Sequence, residues 1–304
     1  DDFYSGTVAA ALGGTTTIID HIGFGPVGCD LHYSLDRYHE KAKKAVVDYS
    51  FHGVIQHVDD SILAELKTLI EDEGIASFKA YSTYGFKIDD ASLLKVLRTV
   101  KAAGGILAVH CENDAAITLL KAEFLEAGLV DAIWHARSRP ARVESEYIGR
   151  VCELAAIAGN APVYIVHTST ALGAKRIQTF QAEGVPVFME TCPQYLLLTE
   201  AKYTEGGNAE GIKYIMAPPL REDSDREALW QALSNGSRHT IGTDHCPFCY
   251  AEKAVGLQDF SKAPGGAPGV EERLPLLFSE GVLKGRITLE QFTELVSTNP
   301  AKLL

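Results

Sequence analysis

The chain has 304 residues, 46% of them hydrophobic and 22% charged, and a formal net charge of -12. Those values fit one large α/β domain or two smaller ones and exclude a disordered or fibrous chain. The acidic balance, with Lys and Arg scattered, excludes a basic footprint for nucleic acid or an anionic membrane, so a small molecule is the expected partner.

Apolar runs of four to eight residues, rich in β-branched side chains, alternate with helical patterns along the chain, the signal of repeated βα units on a parallel sheet. The predicted strands run from Thr15 to Ile22, Val46 to Ile55, Ala76 to Thr83, Ile106 to Cys111, Val163 to Thr168, Val185 to Thr191 and Thr240 to Asp244. Between them, Ile62, Leu63, Leu66, Leu69 and Ile70 form one helical face, capped by Asp60 or Ser61 and stopped by Gly74. Leu93, Leu94, Leu97 and Val100 repeat the pattern before Gly104. Ala174, Ile177 and Phe180 do so before Gly184, and Ala228, Leu229 and Leu233 follow the sixth strand. No linker divides the chain, which reads as one unit over 1–304. The longest apolar runs fall well below the roughly 20 residues of a membrane span. Six cysteines without a signal-peptide pattern read as free thiols in a reducing compartment, so the expected location is cytoplasmic.

Seven such units fit a doubly wound sheet or a (β/α)8 barrel short of one unit. Lys79, His110, His167 and Asp244 decide between them, because single ionisable residues at the ends of different strands converge on one face only in a barrel. No glycine-rich phosphate loop follows any strand. The expected fold class is therefore α/β, a TIM (β/α)8 barrel.

Asp244 alone reads equally well as a buried loop-holding acid, and a lone strand-end histidine is more often a hydrogen-bonded core residue than a ligand. Two histidines in equivalent positions, His110 in ILAVHCEN and His167 in VYIVHTST, with an acid on a later strand, are the donor set that zinc and related ions favour. Lys79 sits opposite Phe78 and Ala80 by strand parity, so it points into the barrel if those two pack against helices. The plain reading is a lysine whose stem is buried and whose ammonium reaches the rim. A metal reading requires an uncharged or modified side chain, and a carbamate formed with carbon dioxide, whose two oxygens can bridge two cations, meets that need.

The stretches GGTTTIIDHIGFGP, DYSFHGVIQH, GNAPVYIVHTS, ETCPQYLLL and APPLRE, together with these residues, resemble the hydantoinase/dihydropyrimidinase family of the amidohydrolase superfamily over nearly the whole chain. The resemblance implies a metal-dependent hydrolase that opens the ring of a cyclic amide, foremost a 5-substituted aryl hydantoin, by attack of a metal-bound hydroxide. Dihydropyrimidinase, allantoinase and dihydroorotase activities are the alternatives within that chemistry, and a non-catalytic dihydropyrimidinase-related scaffold is the alternative outside it. The resemblance further implies two divalent ions, zinc foremost, bridged by carbamylated Lys79. His110 and His167 would hold the second ion, and Asp244 would bind the first and shuttle the proton. Tyr84 would polarise the substrate oxygen, with Ala217 and the backbone of Gly265 contacting substrate. A homo-oligomer, dimer or tetramer, is the implied assembly.

Two departures stand out. The family's H-x-H motif on the opening strand, which carries the other first-metal ligands, is not in this sequence, nor is the segment that completes a flanking β-sandwich, so the barrel is expected to be incomplete at both ends. The 304 residues alone are accordingly expected to be inactive, poorly soluble and at best singly metallated. Many relatives carry Pro-Asn-Gly where this chain has Pro264, Gly265 and Gly266. Cys246 and Cys249 form a lone C-x-x-C that reads as packed thiols rather than a zinc ribbon, and Trp134 and Trp230 read as packing residues. His21, His52, His57, His135 and His245 carry no chemical assignment.

Overall fold

The computed structural model describes residues 1–83, 85–235 and 238–304. All seven expected strands form: β1 Thr17–His21, β2 Asp48–Val54, β3 Ser77–Tyr81, β4 Ile106–His110, β5 Val163–Ile165, β6 Val187–Thr191 and β7 Thr240–Ile241. They pair in parallel and in sequence order, β1 beside β2 through to β7, with a helical connection after each. The fold is the TIM-barrel type that the strand-end residues indicated. Strands β5 and β7 are shorter than their apolar runs. His167 and Asp244, two and three residues beyond the last residues of those strands, take left-handed backbone with φ of 41° and 50°.

The helices bury the stripes their periodicity marks. Asp60–Glu71 sets Ile62, Leu66 and Leu69 against the sheet, each contributing about 1.5–3 kcal/mol of apolar burial. Its cap differs from expectation: Asp59, one residue earlier than Asp60, accepts the Ile62 N–H at 2.9 Å. Asp60 instead stands in the first turn, where its charge meets the positive end of the helix dipole. Asp90–Ala103 buries Leu93, Val96, Leu97 and Val100 and ends at Gly104, whose φ of 84° only glycine adopts without strain. Ala141–Ile157 and Ala171–Ala182 pack on one another and complete that layer.

Strand parity sorts the core into two regions. Phe78, Ala80, Leu107, Val109, Val163 and Ile165 join the helices in the large outer core. Ile106, Ala108, Tyr164 and Val166 form a smaller inner cluster, closed by Phe188, Leu303 and Leu304. Arg273 spans the two edge strands, donating to the Ile241 carbonyl of β7 at 2.8 Å and to the hydroxyl of Thr15, just before β1, at 3.2 Å.

Candidate functional site

Lys79 faces the barrel interior, in register with Val54 of β2 and Ala108 of β4. Its side chain is 3% exposed. Burial pulls the ammonium down to about 8, although the charges of Asp244 and Glu190 oppose the shift. Among the described residues no carboxylate lies within ion-pair distance of its Nζ, so this is a buried amine without a fixed counter-ion.

One strand over, β4 ends at His110, whose Nδ1 lies 3.0 Å from Nε2 of His167. Burial drives both imidazoles below their usual range, so both are neutral. Glu112 fixes the tautomer of His110: its Oε2 lies 2.8 Å from His110 Nε2, and Arg139 Nη1 donates to that same oxygen. Burial pushes the Glu112 carboxyl up, but Arg139 and His110 outweigh it and hold it at about 2. A permanent carboxylate accepts the Nε2 proton and leaves the Nδ1 lone pair turned toward His167.

The turn after His167 is tied down as firmly. Glu190, at the end of β6, accepts the His167 N–H at 3.1 Å and the Tyr164 hydroxyl at 2.9 Å. Glu144, buried in Ala141–Ile157, accepts from the N–H and hydroxyl of both Ser169 and Thr170. Arg221 donates from Nε to Ser169 Oγ at 3.0 Å and from Nη1 to the Arg139 carbonyl, joining the supports of the two imidazoles. Pairing of this kind offsets part of the cost of burying the charges.

Asp244 follows β7. Burial raises its carboxyl, and interaction with Lys79, foremost, and with His110 pulls it down, while His167 in turn feels His110 and Lys79, so the four strand-end residues share one electrostatic neighbourhood. Beside Asp244, the loop of Pro264, Gly265 and Gly266 is fastened by the Cys246 N–H to the Ala267 carbonyl at 2.9 Å and by the Gly266 N–H to the Ile215 carbonyl at 3.2 Å. Gly266 cannot carry a side chain, because a Cβ would stand 2.4 Å from the Cys246 carbonyl. Gly265 is brought against Ala217: a Cβ on it would lie 3.7 Å from the Ala217 nitrogen. Among the described residues no hydrogen bond engages the backbone of Ala217 or Gly265, although their neighbours are bonded on both sides.

The chain is 51% identical over its whole length to D-phenylhydantoinase of Escherichia coli and spans 65% of that protein. A crystal structure of dihydropyrimidinase from Brevibacillus agri superposes with a TM-score of 0.96 at 43% identity, the chain covering all of itself and 66% of the neighbour. D-hydantoinase from a Bacillus sp. AR9 superposes with a TM-score of 0.96 at 44% identity, the chain covering 67% of it. The chain belongs to the hydantoinase/dihydropyrimidinase family of the amidohydrolase superfamily. No family model matches the sequence.

Within this hydantoinase-family barrel, the structure gathers Lys79, His110, His167 and Asp244 at one end and pairs Ala217 with Gly265, while Tyr84 lies outside the described residues. His21 and His52 stack in the interior with ring centroids 4.4 Å apart. His135 donates to the Met216 carbonyl at 2.8 Å, and His245 accepts the N–H groups of Gly269 and Val270. Cys246 and Cys249 are exposed free thiols, in contrast to the packed pair expected. Trp230 is buried and bonded to the Leu196 carbonyl, and Trp134 packs on Phe124. Among the described residues no helix is long and apolar enough to cross a membrane. Glu112, Glu144, Glu190, Arg139 and Arg221 were not singled out from sequence. Glu190 alone carried a readable signal, an acid closing the apolar run VPVFMET.

Proposed function

We propose that the protein hydrolyses the ring amide of a cyclic diamide, a 5-substituted hydantoin foremost, with two divalent cations bound at the ends of β3, β4, β5 and β7. The observation that carries this is the facing pair His110 Nδ1 and His167 Nε2 beside the buried Lys79. Their 3.0 Å separation is near the ~3.3 Å that two imidazoles subtend on one tetrahedral ion at about 2.0–2.1 Å. Among the described residues no group of three His, Cys, Asp or Glu could hold an ion alone, so the reading requires Lys79 as the third donor. An amine pulled down to about 8 spends more of its time than an ordinary lysine in the unprotonated form that carbon dioxide converts to a carbamate. The D-phenylhydantoinase, D-hydantoinase and dihydropyrimidinase names of the relatives support the substrate class.

In this reading carbamylated Lys79 would help to hold two divalent ions, zinc foremost, with His110 and His167 as the further donors to one and Asp244 as a donor to the other. Ions so placed lower the pKa of water and polarise an amide carbonyl. Asp244 takes a proton from the attacking water and returns it to the ring nitrogen as the C–N bond breaks, which suits a carboxyl whose affinity for protons burial has raised. The Tyr84 phenol donates to the oxygen that gains charge. The backbone of Ala217 and Gly265 holds the edge of the ring.

Metal analysis of the full-length protein alongside turnover of 5-phenylhydantoin, dihydrouracil and allantoin tests the proposal. Two ions per chain with hydantoin turned over fastest is the expected result. A preference for dihydrouracil or allantoin would move the substrate within the family, and a metal-free protein inert to all three would overturn the enzymatic reading. A cytoplasmic homo-oligomer, dimer or tetramer, is the accompanying proposal, read by sedimentation of the same material.

A further inference from the structure

Lys253 closes the short helix Tyr250–Lys253 and is 3% exposed. Its Nζ donates to the carbonyls of Ile215, Pro264 and Gly266 at 2.5, 2.7 and 2.7 Å. Three donors meet three acceptors, so the ammonium is saturated, and among the described residues no carboxylate pairs with it. A buried cation without a counter-ion is a costly way to fill space that an apolar side chain of similar volume would fill at less cost. What it gains is directional: it draws together carbonyls from two segments far apart in sequence.

Those segments flank Ala217 and Gly265. The Ile215 carbonyl takes both Lys253 and the Gly266 N–H, the Met216 carbonyl takes His135, and Pro264 and Gly266 are anchored on either side of Gly265. Among the described residues, Ala217 and Gly265 are thus left with unengaged backbone groups between fastened neighbours, the condition for presenting backbone donors and acceptors to a ligand at fixed positions. Sequence signals do not reveal this, because a lysine in a surface-like helix YAEK reads as solvated.

We propose that Lys253 is the positioning residue of the substrate subsite: its ammonium clamps segment 215–217 to segment 264–266 and so sets the spacing of the backbone groups that grip the amide edge of the ring. The inference rests on the cyclic-amide reading above and deepens it.

The test uses the full-length, metallated protein with Lys253→Met, which keeps the stem and removes the donors, and Lys253→Arg, which keeps the charge but not the three-carbonyl geometry. Lys253→Met is expected to keep its metal content and to raise KM about tenfold or more, with a smaller change in kcat. Amide hydrogen exchange should quicken in both 215–217 and 264–267, and Lys253→Arg should fall between it and the parent. If Lys253→Met does not fold, Lys253→Arg alone carries the test through the same rise in KM and in exchange. A variant with a lowered Tm but unchanged KM and unchanged exchange in the two segments would show Lys253 to be a structural plug and overturn the proposal. Should the parent turn over no cyclic amide, the exchange readout still decides the clamp, and the silence in turnover counts against the reaction alone.

Discussion

His110 and His167 turn ring nitrogens toward one another at 3.0 Å, and the far side of the His110 ring is held by Glu112 at 2.8 Å. Glu112 therefore decides which nitrogen of His110 carries the proton. Glu112→Gln, which keeps the shape and loses the charge, is expected to weaken ion binding about 10–100-fold. Competition with a graded series of chelators reads this directly, and an unchanged affinity would sink the idea. Glu112→Ala should additionally lower stability by about 3–5 kcal/mol, because it strands the Arg139 guanidinium.

Lys79→Ala should cost the bridged pair of ions. Metal content per chain in the full-length protein checks it. A variant that keeps two tightly bound ions and normal turnover would show that Lys79 is only a buried stem. Bicarbonate added during reconstitution should speed recovery of the parent and do nothing for the variant.

For Tyr84→Phe the expected loss is in kcat, about a hundredfold or more, with KM little altered, since a phenol aimed at a developing oxyanion strengthens as charge forms. Steady-state kinetics separate the outcomes: a change in KM alone would mean uniform binding.

Acid should destabilise the fold through its buried imidazoles. Burial holds His135 at about 3 and His239 at about 4, against an ordinary value near 6.5. The unfolded chain binds protons at these positions before the folded one does. The stability these neutral rings carry is complete above about 6.5 and is lost as pH falls toward their folded values. Thermal melts between pH 7 and 4.5 should show a falling Tm, and a flat profile would contradict the assignment of both rings as neutral.

Leu66 lies wholly buried under Asp60–Glu71. Leu66→Ala is expected to cost about 2–5 kcal/mol in denaturant unfolding without altering metal content at fixed, folded protein.

The strands were legible because each is an apolar β-branched run between breakers, and Lys79 was legible because parity between Phe78 and Ala80 leaves it one direction to face. Caps were less so: Asp59, Asp60 and Ser61 are all competent, and only the backbone conformation selects Asp59. The supports of the site were hidden for a different reason. Glu144 comes from a helix and Glu112, Arg139 and Arg221 from connecting segments, and their meaning lies in pairings across 25 to 82 positions. Lys253 was hidden because its acceptors are carbonyls, which every residue has.

The left-handed backbone at His167 and Asp244 sets the site against thermal robustness. With φ of 41° and 50°, each residue holds a conformation that glycine reaches freely and other residues enter at a cost of about 1–3 kcal/mol. A screen for heat resistance that ignored turnover would therefore find improvable positions at these two strand ends, and its hits there would strip the barrel of an imidazole and a carboxylate. Consensus or laboratory evolution toward stability in this chain has to be run with turnover as a second criterion, because two of the three non-glycine residues with positive φ among the described residues belong to the proposed site.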